Sequence, residues 1–224
     1  MAKETNIIFF GAPGAGKGTQ AKKISVSLNL PHVDTGNLIR EAITNKTDLG
    51  KKAKGFVESG NLVPDDLVID LIKEKLLELK NLKNGSFNGF ILDGYPRTIP
   101  QADALELMLS ELKLVLPQVI NVKASEDILV NRLSSRRLCT NKSCGAIYNL
   151  ITKKPKVENI CDLCGEALYQ RKDDTEEAAK QRLNEYHNKT APLEKYYRDM
   201  GKLFDVDGTK DPDDVFNEIG KKLQ

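Results

Sequence analysis

An apolar run, Asn6-Ile-Ile-Phe-Phe10, leads directly into Gly11-Ala-Pro-Gly-Ala-Gly-Lys-Gly-Thr19, and that loop into a segment with Ala21, Ile24 and Leu28 on one side. Strand, glycine loop and helix in this order fix much of what the chain can become. The glycines let the backbone curl so that successive N–H groups point inward. The helix start adds its positive end, and Lys17 reaches outward. Such a nest, with Gly14, Ala15, Gly16, Lys17, Gly18 and Thr19 as its members, suits a polyphosphate of the ATP type. Loops of this kind usually place Ser or Thr directly after the lysine to meet magnesium. Here Gly18 intervenes, so Thr19 serves phosphate or metal from a shifted position. Phosphate-loop enzymes also carry a carboxylate at the end of a second buried strand. Phe90-Ile-Leu-Asp93 supplies one, and Asp93 is expected to organise magnesium through bound water.

Short apolar, partly β-branched runs at Asn6–Phe10, Phe87–Leu92, Gln118–Val122 and Leu203–Val206 read as buried parallel strands. Helical patterns lie between them. The clearest runs from Asp65 to Lys80 behind a Pro64-Asp65 start, with Val68, Leu71, Ile72, Leu76 and Leu79 on one face. The expected fold class is therefore α/β, a parallel sheet flanked by helices. Segment 137–169 breaks the pattern: it holds all four cysteines and no helical period. It reads as a small inserted unit between helical stretches at Glu126–Arg136 and Asp174 to about Met200, the second broken by Pro192.

Of the 224 residues, 40% are hydrophobic and 29% charged, an ordinary soluble composition. A net charge of only +2 gives no overall field to draw the chain to nucleic acid or an anionic membrane. No run approaches the roughly 18 apolar residues of a membrane span, and Met1–Phe10 lacks the basic start and long apolar core of a signal peptide. A cytoplasmic location follows as the expectation. His32 and His187, the only histidines, have no partner arrangement for acid–base work and read as structural.

Reducing conditions disfavour disulfides and make the cysteines candidates for metal ligation. The spacing is Cys139-x4-Cys144, sixteen residues, then Cys161-x2-Cys164, with Gly145 and Gly165 after the second member of each pair. Two such knuckles suit a tetrahedral thiolate site, most simply structural zinc. Four unligated thiols, or a disulfide pair, are the alternative.

Several blocks in order resemble the adenylate kinases. They are Gly11–Thr19, Asp34-Thr-Gly-Asn-Leu-Ile-Arg40, Gly60-Asn-Leu-Val-Pro-Asp65, Asp93-Gly-Tyr-Pro-Arg97 with Gln101, and Arg171-Lys-Asp-Asp174. Together they look like the long-lid form typical of bacteria. The resemblance implies a nucleoside monophosphate kinase fold and the reaction ATP + AMP ⇌ 2 ADP, with magnesium, in a monomer. It implies a core at 1–136 with an AMP-binding helical segment at about 34–63, a lid at 137–173, and a core continuation at 174–224. It assigns AMP to Thr35, Arg40, Asn61, Leu62, Val63, Gly94, Tyr95, Pro96, Arg97 and Gln101. Arg132, Arg136, Arg171 and Arg182 go to the transferring phosphates, and Ile147, Tyr148 and Lys210 to the ATP side. On bare physics, arginine forks suit phosphate, and Gln101 offers a donor and an acceptor to an adenine edge. Arg132 and Arg136, four apart on an expected helix, should share one face. Asp173 and Asp174 either anchor the lid through ion pairs or begin a helix. The family usually spaces the first cysteine pair by two residues, so the Thr140–Ser143 spacer is longer here.

Other acceptors, UMP or CMP, or GTP as donor, keep the same class; Gln101, Thr35 and the long lid speak more against the first change than the second. A nucleic-acid-binding zinc ribbon would need a basic, aromatic face. Residues 137–170 offer only Tyr148 and Tyr169 as aromatics, and that reading leaves the arginines unexplained.

Overall fold

The structure, a computed structural model, describes residues 4–81 and 87–223. Five parallel strands form the central sheet in the order β2-β3-β1-β4-β8. They are β1 (Thr5–Phe10), β2 (His32–Asp34), β3 (Gly89–Asp93), β4 (Gln118–Lys123) and β8 (Leu203–Asp207). Around them lie α1 (Lys17–Leu28), α2 (Thr35–Thr44), α3 (Asp48–Ser59), α4 (Asp65–Lys80), α5 (Ile99–Glu111), α6 (Glu126–Ser134), α7 (Glu176–Glu185), α8 (Pro192–Asp199) and α9 (Pro212–Leu223). A separate antiparallel sheet joins β5 (Arg136–Cys139) to β6 (Ile147–Asn149) on one side and β7 (Leu168–Tyr169) on the other.

The continuous apolar runs of the strands have a direct cause: the sheet is covered on both faces. Successive β1 residues alternate between two cores. Ile8 and Phe10 pack with Phe90, Leu92, Ile72, Leu76 and Leu105, while Ile7 and Phe9 pack with Ile91, Ile120, Ala21, Ile24 and Ile219. The antiparallel sheet has only a small cluster of its own, Cys139, Ala146, Tyr148, Cys161 and Leu168.

α4 has the expected bounds, and the four expected strands are present with ends displaced by one or two residues. The one unexpected strand of the large sheet, β2, is only three residues long, and its His32 and Asp34 carry no strand signal. Two helical expectations need correction. The helix expected to run through Arg136 stops at Ser134, because Ser135 caps it and its carbonyl accepts from the Leu150 N–H at 3.0 Å, turning the chain into β5. Arg132 and Arg136 therefore do not share a helix face. The long segment after residue 174 is interrupted as expected, but before the proline: residues 186–190 widen into a π-helical turn, the Ala191 N–H bonds the Tyr186 carbonyl, and Pro192 opens α8.

α2 and α3 cross at Gly50, where a Cβ would lie 2.0 Å from the Ala42 carbonyl oxygen. The clash is with backbone, so relief requires the helices to separate. Gly50→Ala should cost on the order of 1–3 kcal/mol and lower the melting temperature by several degrees. Scanning calorimetry checks this, and an unchanged melting curve would contradict the tight crossing.

Candidate functional site

Strands β3 and β4 lie on opposite sides of β1, so the chain reverses its direction of winding there and leaves a crevice at the carboxyl ends of the strands, where open α/β sheets take ligands. The register sets Phe9 beside Asp93, so the acid ends its strand next to the start of the glycine loop. Gly14 and Gly16 hold left-handed φ of 86° and 106°, which curls the loop before α1 begins at Lys17. Lys17 Nζ folds back to donate to the carbonyls of Gly11 at 2.6 Å and Ala12 at 2.8 Å. Gly18 explains the shifted threonine: a Cβ there would lie 3.1 Å from the Asp93 carboxylate. Thr19 is exposed. Burial pushes the Lys17 ammonium down to about 7; Asp93 opposes the fall, and Arg97, Arg182 and Arg136 add to it.

A cavity opens between α2, α3, the start of α4 and the β3–α5 loop, enclosing about 610 Å³ of space continuous with solvent. Thr35, Arg40, Asn61, Leu62, Val63, Gly94, Arg97, Gln101 and Arg182 line it, so most of the residues assigned to AMP by resemblance meet here. Asp34 caps α2 through the Asn37 N–H at 2.9 Å and thereby sets Thr35 at the first turn. Thr35 Oγ1 is buried without a protein partner. Thr98 caps α5 and positions Gln101 one turn in. The Gln101 amide is fixed at both ends: Nε2 donates to Asp65 at 2.7 Å and Oε1 accepts the Arg97 N–H at 2.8 Å. One donor and one acceptor site remain on it. Tyr95 faces away, fully buried, with its hydroxyl on the Gln101 carbonyl at 3.0 Å, and is joined to Pro96 by a cis peptide bond.

The arginines converge from three elements, α2, β5 and α7, and from two connecting segments that carry Arg97 and Arg171. Asp174, with no exposed surface, takes the fork of Arg136 at 2.8 and 2.5 Å and Arg182 Nη1 at 2.9 Å. Asp173 lies 3.3 Å from the same Arg182 nitrogen. Burial would raise the Asp173 carboxyl, but Arg182, Arg40, Arg171 and Arg136 hold it below the usual range. Burial brings Arg182 down to about 10 against Asp173, with Arg136 deepening the fall. Arg40 also falls to about 10 through burial and then Arg171. Arg97 falls through burial, with Asp93 opposing. Cations that depress one another in a half-desolvated cleft form a receptor for polyanions. Asn37 Oδ1 accepts from Arg40 at 2.7 Å and Arg171 at 3.5 Å, and Arg171 Nε is buried without a partner.

Other residues named by the resemblance lie apart from this cluster. Arg132 donates to the Gly208 carbonyl at 2.7 Å, and Gly208 packs so closely on the glycine loop that a Cβ would sit 2.5 Å from the Ala15 carbonyl oxygen. Lys210 is exposed and pairs with Glu218. Ile147 is half exposed on β6, and Tyr148 is buried in the small sheet. His32 lies 3.5 Å from Asp93, and His187 pairs with Glu126 at 2.6 Å. Sequence reasoning passed over Asp65 and Asn37. Asp65 reads as a helix start, and the signal for its second role is only that Gln101 needs a buried acceptor.

The four cysteine sulfurs lie within 4.8 Å of one another, with Cys139 to Cys164 at 3.4 Å and Cys144 to Cys161 at 3.7 Å. No pair is at the bonding distance of a disulfide. Thiolates about 2.3 Å from a tetrahedral ion are about 3.8 Å apart along each edge, so this donor set fits zinc. Burial opposes ionisation of Cys161, yet the N–H groups of Leu163 and Cys164 and the Tyr148 hydroxyl bring its thiol down to about 6. The longer first spacer does not remove Cys139 from the cluster.

If Lys17 stands near 7 when the loop is empty and is held fully charged by a polyphosphate, nucleotide binding takes up a proton above that pH. At pH 8 the uptake should approach about 0.9 proton per ATP, falling below pH 7. Calorimetry in buffers of different ionisation heat measures it. Lys17→Arg, charged throughout, should abolish the pH-dependent part; its persistence would assign the proton elsewhere.

The sequence model of the adenylate kinase family matches residues 9–202. The chain is 50% identical to an adenylate kinase of Archaeoglobus fulgidus over 98% of each chain. With the adenylate kinase of Caldicellulosiruptor saccharolyticus it shares 45% identity over 97% of this chain and 98% of that one. With that of Lachnospira eligens the identity is 49% over 97% and 99%. A family model spanning residues 9–202 and 50% identity over nearly the whole of both chains establish that the chain belongs to the adenylate kinase family.

Proposed function

We propose that the chain, an ATP:AMP phosphotransferase by family, passes the terminal phosphoryl group of ATP to AMP across the gap between the glycine loop and the cavity behind Arg97. One observation supports this reading above the others: Arg97 and Arg182 line the cavity and also act on Lys17, so donor and acceptor phosphates would share the same cations. Gly14–Thr19 hold the ATP phosphates; Arg40 and Arg97 hold the AMP phosphate. The unpaired Thr35 hydroxyl and the free positions of Gln101 address AMP, the latter its adenine edge. The attacking phosphate oxygen is already anionic, so the reaction needs no general base. Negative charge spreads over the oxygens in flight, and Lys17, Arg97, Arg136, Arg171 and Arg182 stabilise it without reorganising. Asp93 and Thr19 would hold magnesium beside the ATP phosphates, where it supplies further charge neutralisation. Arg132 supports the glycine loop through Gly208.

Residues 137–173 act as a lid, and the four thiolates hold a structural zinc whose filled shell leaves it no catalytic position. Cysteines outside any disulfide suit a reducing compartment, and a cytoplasmic monomer, the default for the resemblance, completes the reading.

AMP should be strongly preferred in a panel of nucleoside monophosphates assayed with ATP or GTP and magnesium, because a site of paired hydrogen bonds rejects analogues that leave its groups unpaired. Equal turnover of CMP or UMP would overturn the assignment of Gln101. Elemental analysis should find about one zinc per chain. Cys161→Ser should then melt earlier while keeping ATP affinity, since metal-binding free energy is folding free energy only for the region that supplies the ligands. Metal-free protein with an unchanged melting curve after chelation would show a lid held by packing alone.

A further inference from the structure

The two cysteine knuckles close by the same backbone scheme, although their spacers differ. In the second, the Cys161 N–H donates to the Glu166 carbonyl at 2.8 Å, and the Cys161 carbonyl accepts the Gly165 N–H at 2.9 Å. Cys161 thus supplies both the thiol and the carbonyl that closes the turn. In the first knuckle these duties are split. The Cys139 N–H donates to the Ala146 carbonyl at 3.0 Å, matching Cys161, but the Gly145 N–H at 3.1 Å goes to the Asn141 carbonyl. The Cys144 N–H reaches the same carbonyl at 3.2 Å. Asn141 stands three residues before Cys144, the place Cys161 holds before Cys164.

A backbone carbonyl could do this in any residue; the side chain does something further. Asn141 Oδ1 accepts the Ser143 N–H at 3.0 Å and the Cys144 N–H at 3.3 Å. Asparagine folds its own following backbone in this way, which is why it favours turns. The Asn141 N–H is directed at the Cys139 sulfur. One residue therefore connects both ligands of the first pair. Thr140 fixes the other side of the insertion, with its N–H and hydroxyl both on the Ala167 carbonyl at 3.0 Å.

We propose that Asn141 is a positioning residue for the metal: it takes the turn-closing part that the first cysteine plays in a two-residue knuckle, so that the four-residue spacer presents Cys139 and Cys144 as a normal pair. The proposal rests on the four-thiolate site described above. It identifies which side chain of the long spacer is indispensable, and it leaves Lys142 and Ser143, both exposed, replaceable.

The test titrates full-length, metal-stripped protein with cobalt, following the sulfur-to-cobalt charge-transfer band, and then measures zinc affinity by competition with a chromophoric chelator. Asn141→Ala should weaken zinc by about tenfold, in the range expected for loss of a partner that orients ligands. Asn141→Asp keeps the accepting oxygen and should recover most of that loss. Lys142→Ala should bind as wild type. If Asn141→Ala binds as tightly as wild type, or Asn141→Asp binds as weakly as Asn141→Ala, the role of Asn141 is overturned while the metal site stands. Wild-type protein that gives no charge-transfer band overturns the metal site itself, and this inference with it.

Discussion

Asp174 is the fixed point of the cleft. A carboxylate with no exposed surface is tolerable only when its charge is matched and its lone pairs are filled. The Arg136 fork and Arg182 do both. Arg136 opens β5, the first strand of the small sheet, Asp174 ends the short 3₁₀ turn that follows that sheet, and Arg182 belongs to α7. One buried anion thus ties both ends of the insertion to the core. It also lets two guanidinium groups stand close together. Removing it would leave two half-buried cations in mutual repulsion. Asp173 acts on Arg182 and Arg40 and extends the same balance toward the cavity. The sequence-level alternative for these acids, a helix start that favours the dipole, does not describe them: α7 begins after Thr175, whose side chain caps it.

The parts legible in the sequence were those whose cause is local or repetitive. Buried strands read clearly because both sheet faces are covered and most of their buried positions are apolar. α4 read clearly because its stripe of Val68, Ile72, Leu76 and Leu79 persists over four turns. β2 was invisible because three residues carry no period and two of them, His32 and Asp34, serve other contacts. Arg136 was misplaced because nothing in helix propensity stops α6 at Ser134; pairing with β6, a long-range contact, does so. The orientation of Tyr148 was likewise beyond spacing arguments. Its hydroxyl accepts the Asp162 N–H at 2.7 Å and meets Cys161, a geometry set only once the two knuckles have come together.

The small sheet shows why an insertion of this kind needs more than packing. Its apolar cluster has five buried members, two of them cysteines. Ile151, Val157 and Leu163 stay exposed. So little burial cannot offset the ordering of more than thirty residues at on the order of 1–2 kcal/mol of backbone entropy each. Four cysteine sulfurs within 4.8 Å of one another mark the place where an ion bound by all of them would supply what is missing.

Direct contacts between residues 171–181 and the α2–α3 side of the cavity are few and weak. Lys172 pairs with Glu58 at 3.1 Å, Gln181 Nε2 donates to Asn61 at 2.8 Å, and Arg171 reaches Asn37 at 3.5 Å. The first is exposed, with 82% of the Lys172 side chain open to water, and such pairs contribute little. The third is at the edge of hydrogen-bond distance. Cohesion across the cleft rests instead on Asp173 and Asp174, whose carboxylates offset the repulsion among Arg40, Arg136, Arg171 and Arg182. Anions entering the cleft would add to that balance. Each phosphate replaces repulsion between guanidinium groups with attraction to a shared charge, in a cleft whose low exposure keeps that attraction from being screened.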